Sequence, residues 1–98
     1  MEENVKYIEL FEIYGNLLTE RQKELFTSHY LLDLSLSEIA EPENLSRQSV
    51  YDAVKKVKTK LDEYENALKL SEKFTAIKAV LKKVGGEAEK EITDILGR

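Results

Sequence analysis

Apolar residues recur at three- and four-residue spacings along the whole chain, which is the spacing of helices. No stretch alternates apolar and polar residues for long, and no Asn-Gly or Asp-Gly pair marks a hairpin. Over residues 3–18, Val5, Ile8, Phe11 and Leu18, with Leu10, Tyr14 and Leu17 beside them, form one broad stripe. Thr19-Glu20-Arg21-Gln22 reads as a capping box, with Thr19 as N-cap and Gln22 reaching back from the third helical position. That second helix is predicted to run to about Leu32, with Leu25, Phe26, His29 and Tyr30 facing inward. Ser35-Leu36-Ser37-Glu38 is a second capping box, and Leu34 and Ile39 occupy its staple positions. Pro42 is expected to end this short helix by pushing Glu41 out of the α region. Asn44 is the residue nearby that best tolerates positive φ. Ser46 then caps a further helix, with Leu45 and Val50 at the staple positions.

From Ser46 to Val84 there is neither Gly nor Pro. Val50, Val54, Val57, Leu61, Tyr64 and Leu68 follow a heptad seam. Leu70, Phe74, Ile77, Leu81 and Val84 repeat the spacing in a phase nearly opposite to the first. A break between Leu70 and Lys73, centred near Ser71, reconciles the two. Gly85-Gly86 stops the run, and Ala88, Ile92, Ile95 and Leu96 predict a short last helix over 87–96.

Composition narrows the function classes. The 98 residues suffice for a single domain over 1–98, and a chain this short buries only ~60–65% of its unfolded surface. Absence of cysteine removes disulfides, thiol catalysis and Cys-based zinc sites. No apolar run could span a membrane, and the first residues do not read as a secretory signal, so a cytoplasmic protein without membrane insertion is expected. The net charge of −4 argues against a general nucleic-acid binder. Yet residues 44–60 carry Arg47, Lys55, Lys56, Lys58 and Lys60 against Asp52 alone, while residues 1–43 carry three bases against ten acids. Salt screens charges beyond ~8–10 Å, so a local basic patch can still attract phosphate.

A short helix, a four-residue turn and a capped basic helix have helix-turn-helix spacing. The motif is SLSEIAEPENLSRQSVYDAVKK, residues 35–56, with Ala40 where two helices cross and Ile39, Leu45, Val50 and Val54 at core positions. The wider string adds Leu18-Thr19-Glu20-Arg21-Gln22, Tyr30, Leu61, Tyr64-Glu65 and Leu68. It resembles region 4 of bacterial sigma factors. More closely it resembles the small YlxM-type proteins encoded beside the signal recognition particle GTPases, over about residues 5–70. The resemblance implies an all-α, sigma-region-4-like helix-turn-helix core (about 19–70) with a long C-terminal helical extension (about 71–98). It also implies an accessory or regulatory role in the signal recognition particle pathway, with components of that particle as partners. The chain departs from the pattern at Pro42-Glu43, where an acid and an apolar residue are more usual, and after residue 70.

The start of a recognition helix touches base edges, and lysines further along touch phosphate. The nucleic-acid-binding candidates are therefore Arg47, Gln48, Ser49, Tyr51, Lys55, Lys56 and Lys58, toward DNA or structured RNA. Asp52, in the middle of that arc, repels phosphate and speaks for the alternative, a protein-interaction module that keeps the fold but reads no sequence. Phe11, Tyr14, Phe26, Tyr30 and Tyr64 are expected in the core, and His29 as a hydrogen-bonded structural histidine. No nucleophile–base set, metal set or Gly-rich phosphate loop can be assembled, so no enzyme and no cofactor is expected. The second apolar stripe has few intrachain partners. It predicts a homodimer with Phe74, Ile77 and Leu81 in the contact.

Overall fold

A computed structural model describes residues 2–98, with side-chain environments from residue 3 onward. Six α-helices follow in order: α1 Glu2–Tyr14, α2 Glu20–Phe26, α3 Leu36–Ala40, α4 Arg47–Leu68, α5 Leu70–Val84 and α6 Gly86–Leu96. Among the described residues there is no strand.

The local start signals operate as the sequence predicts. Thr19 Oγ1 accepts the Gln22 N–H while the Gln22 side chain accepts the Thr19 N–H. Ser35 and Glu38 make the same reciprocal pair, and Ser46 Oγ accepts the Ser49 N–H.

The helix ends are less regular. α1 stops at Tyr14 and a 3₁₀ turn, Gly15–Leu17, carries the chain onward. The buried face of α1 is Tyr7, Leu10 and Tyr14; beyond the tighter turn it is continued by Leu18 rather than Leu17, and Val5 and Leu17 are more than half exposed. A Cβ at Gly15 would stand 3.3 Å from the Phe11 ring, which itself stacks on Phe26 at 4.2 Å. α2 does not run on as regular α-helix to Leu32. Thr27–Leu31 is a π-helical turn closed by Leu32 N–H donating to Thr27 O, and Asp33, at φ 57°, turns the chain. Pro42 does not force Glu41 out of the α region, for Glu41 sits at φ −55°, ψ −53° and opens a 3₁₀ turn, Glu41–Glu43. Proline's fixed φ fits such a turn. The stop comes at Asn44, left-handed at φ 56°, with Leu45 N–H donating to Ala40 O and Asn44 N–H to Glu41 O, a Schellman closure.

α4 is the spine of the fold. Its first half supplies Val50 and Val54 to a cluster with Leu25, Ile39 and Ala40. Its second half supplies Val57 and Leu61 to a cluster with Tyr7, Leu10, Tyr14, Leu18 and Phe26. Tyr30 packs against both clusters. α1, α2 and α3 all pack on α4, so the helix-turn-helix pair α3–α4 is held from behind by α2.

The break between α4 and α5 falls at Lys69, φ 56°, slightly before the expected position. It is held from a distance. Tyr14 Oη donates to Glu65 Oε1 at 2.6 Å and accepts the Leu70 N–H at 3.0 Å. The Glu65 carboxylate also accepts the N–H groups of Ser71 and Glu72, capping α5. Burial opposes charge on Glu65, but these donors and Lys69 outweigh it and hold the carboxyl below its ordinary value.

Beyond this elbow, α5 and α6 form a hairpin arm around Gly85 and Gly86, both at positive φ. The molecule extends 53 Å in its longest direction, with a radius of gyration of 16.4 Å against roughly 13 Å for a compact chain of this length. On the arm, Leu81 is 6% exposed because α6 folds back along α5. Leu81, expected in or near an intersubunit contact, is thus buried within its own chain. Phe74 is half-buried, and Ile77 is open to solvent.

Candidate nucleic-acid interface

The expected site residues divide into three groups. Arg47, Lys55 and Lys56 lie exposed on α4 and have no carboxylate within ion-pair distance among the described residues. Lys60, further along α4, is likewise unpaired, whereas Lys6 is tied to Asp62, Arg21 to Glu24 and Glu43, and Lys23 to Glu20. Ser49 and Tyr51 are also exposed, with the Ser49 N–H committed to the Ser46 cap.

Gln48 is engaged. Its Nε2 donates to Asp52 Oδ1 at 3.0 Å, one helical turn on, which orients the amide and leaves Oε1 and the second N–H for an adenine edge.

Lys58 faces sideways rather than outward. Its ammonium bonds Glu3 and stands 5.0 Å from the centre of the Tyr7 ring. Burial alone would lower its pKa, but the bond to Glu3 and the influence of the nearby Tyr30 hydroxyl hold it above the ordinary lysine value. Glu3 is correspondingly held low by Lys58. Tyr7 completes the set, donating to Asp62 Oδ2 at 2.8 Å, and its phenol is pushed up to about 12 by burial and by that carboxylate. Lys58 thus fastens α1 to α4, a role that sequence reasoning missed because its partners lie 55 residues away.

Beside the basic face is a cleft of about 250 Å³ lined by His29, Tyr30, Leu36, Tyr51, Val54, Lys55 and Lys58. The π-helical turn shapes its far wall. His29 Nδ1 lies 2.8 Å from Leu34 O, so the histidine is hydrogen-bonded within the fold as expected. No group of three His, Cys, Asp or Glu side chains suited to a metal ion occurs among the described residues. No helix of the described residues is long and apolar enough to cross a membrane.

This arrangement presents a capped helix whose first turns carry unpaired cations above a helix-turn-helix core, which suits contact with a polyanion. Comparison with known proteins agrees with the architecture. Residues 1–95 match the family UPF0122, described as "Putative helix-turn-helix protein, YlxM / p13 like". The UPF0122 protein YlxM of Bacillus subtilis (strain 168) is 39% identical over 101 residues, spanning 98% of this chain and 92% of its own. A UPF0122 protein of Shouchella clausii is 46% identical over 72 residues, 74% of this chain and 66% of its own. One from Malacoplasma penetrans is 43% identical over 75 residues, 76% of this chain and 70% of its own. An all-α helix-turn-helix chain, matched over nearly its whole length, this protein belongs to the YlxM / p13-like family UPF0122.

Proposed function

We propose that this protein is a nucleic-acid-binding regulatory module that meets DNA or structured RNA with the N-terminal half of α4. The observation that carries the reading is the concentration of exposed cations on the first part of α4, where Arg47, Lys55 and Lys56 have no carboxylate partner among the described residues and Asp52 is the one acid among residues 46–60. Lys6, Arg21, Lys23 and Lys58 are held by carboxylates of their own chain. Unpaired exposed cations along one helix are available to displace phosphate counterions. Tyr51, on the rim of the adjacent cleft, offers a face for a base. The resemblance to proteins encoded beside the signal recognition particle GTPases supports an accessory role in that pathway, in the cytoplasm.

Titrating duplex DNA and a structured RNA with the purified protein at several salt concentrations tests the reading. Changing Arg47, Lys55 and Lys56 to Glu is expected to abolish binding without unfolding the domain. Each single contact removed should lower the salt slope by ~0.7–0.9. Binding that survives the triple change would eliminate α4 as the contact. The second reading, a protein-interaction module, is favoured by the Gln48–Asp52 bond in the middle of the face. It predicts no binding of either nucleic acid even at low salt.

A further inference from the structure

We infer that the α5–α6 arm is the seat of a second copy of this chain, the two arms packing as a four-helix bundle about a two-fold axis that runs along the arm. The inference is independent of nucleic-acid contact.

The surface area comes first. The chain exposes 7087 Å². A compact monomer of 11.3 kDa is expected to expose roughly 5,700 Å². The excess, well over 1,000 Å² by the same scaling, exceeds the ~800 Å² per partner of a standard interface. The arm meets the rest of the molecule chiefly where α1 touches α5.

The arm's apolar pattern comes second. Leu81 already fills the seam between α5 and α6, yet Ile77, Val80 and Val84 remain 40%, 58% and 63% exposed. At ~100° per residue these three share a strip about 60° wide, beside the seam rather than opposite it. On α6, Ile92 and Ile95 are exposed in a matching strip next to half-buried Leu96. In an antiparallel hairpin the two helices wind oppositely when viewed from one end, so both strips fall on the same side of the arm. Together they make one apolar face.

Charge selects the partner and the axis. On α5, Lys73 continues the apolar strip toward the elbow and Lys83 flanks its outer edge, while on α6 Glu91 and Glu87 flank the outer edge and Asp94 lies beyond them. Among the described residues neither set is paired across the hairpin; Asp94 meets only Arg98 of its own helix. A second copy turned about an axis along the arm lays its α6 over the first α5 and brings acidic edge against basic edge, twice. An axis across the arm would oppose lysine to lysine and acid to acid. The favoured axis makes every helix antiparallel to its neighbours and leaves both helix-turn-helix cores at the same end of the bundle.

Sedimentation equilibrium decides the matter. The wild-type chain is expected to be a dimer at tens of micromolar. The double change Val80→Asp with Val84→Asp, at exposed positions that do not disturb the fold, is expected to give a monomer with unchanged helical circular dichroism. A second pair of chains tests the axis: one with Lys73→Glu and Lys83→Glu, the other with Glu87→Lys and Glu91→Lys. Each should self-associate at least tenfold more weakly than wild type, and an equimolar mixture should recover the dimer. A wild-type monomer, or a dimer indifferent to the aspartates at 80 and 84, overturns the surface. Charge-reversed chains that associate no better mixed than alone overturn the axis.

Discussion

Replacing Tyr14 by Phe removes a single oxygen from a side chain that is 1% exposed, and that oxygen joins three helices. It donates to the Glu65 carboxylate at 2.6 Å and accepts the Leu70 N–H at 3.0 Å. The ring remains to fill its place among Leu10, Leu18 and Leu61. A hydrogen bond to a charged acceptor contributes about 1.5–3 kcal/mol, and an orphaned buried N–H adds to the loss. The variant should therefore be about 1.5–3 kcal/mol less stable at neutral pH, which for a chain of this size lowers Tm by roughly 6–20 °C. pH provides the sharper test. The folded pKa of Glu65 lies below its ordinary 4.5, so its contribution is present above that value and is lost as pH falls through the folded pKa. Protonated Glu65 is a weaker acceptor, so the gap between wild type and Tyr14→Phe should narrow near pH 3. Urea unfolding of both proteins at pH 7 and pH 3, at one fixed protein concentration, measures this. A loss under 0.5 kcal/mol at pH 7, or an equal gap at both pH values, would refute the elbow as drawn.

Three further outcomes are expected. Ser46→Ala removes the side-chain acceptor of the Ser49 N–H at the start of α4 and should cost about 0.5–2 kcal/mol in thermal melts, whereas an unchanged midpoint would place the helix start elsewhere. Lys69→Gly should stabilise the protein by up to about 1 kcal/mol, because glycine adopts φ 56° without the steric penalty of a Cβ; destabilisation in denaturant titration would contradict the left-handed assignment. Lys58→Ala should reduce the salt slope of nucleic-acid binding less than Lys55→Ala does, since Lys58 already serves Glu3; equal reductions in fluorescence anisotropy titrations would show that Lys58 reaches the ligand.

What could be read in the sequence follows from the range of each interaction. Caps at Thr19, Ser35 and Ser46 are bonds across three residues, so residue type and spacing suffice to specify them. The heptad run through Val50, Val54, Val57 and Leu61 was legible for the same reason, being one helix's periodicity. The buried face of α1 differs from the expected stripe because Tyr7, whose hydroxyl finds Asp62 across 55 residues, is drawn inward, and because the 3₁₀ turn after Tyr14, which no single residue announces, puts Leu18 rather than Leu17 in the core. The π-helical turn at Thr27–Leu31 and the reversal at Asp33 likewise have no strong local signature, as neither Gly nor Pro marks them. Of the site, the unpaired face at Arg47, Lys55 and Lys56 could be read from charge spacing. The diversion of Lys58 to Glu3 could not, because nothing near either residue indicates that α1 lies alongside α4.

The sharing of α4 between two clusters governs how the molecule opens. Val54 and Val57 are a single turn apart yet belong to different clusters, so neither cluster can melt without fraying the helix that supports the other. The four-helix body, residues 2–68, should behave as one cooperative unit in hydrogen exchange, its slowest amides lying in the middle of α4 and reporting global unfolding. The α5–α6 arm is anchored chiefly at the elbow and where α1 touches α5, and should exchange through a cheaper, separate opening. If arms pair, those amides alone would slow as protein concentration rises, while the α4 plateau would respond only where dissociation is linked to global unfolding. Exchange rates measured at two concentrations would thus map the interface residue by residue.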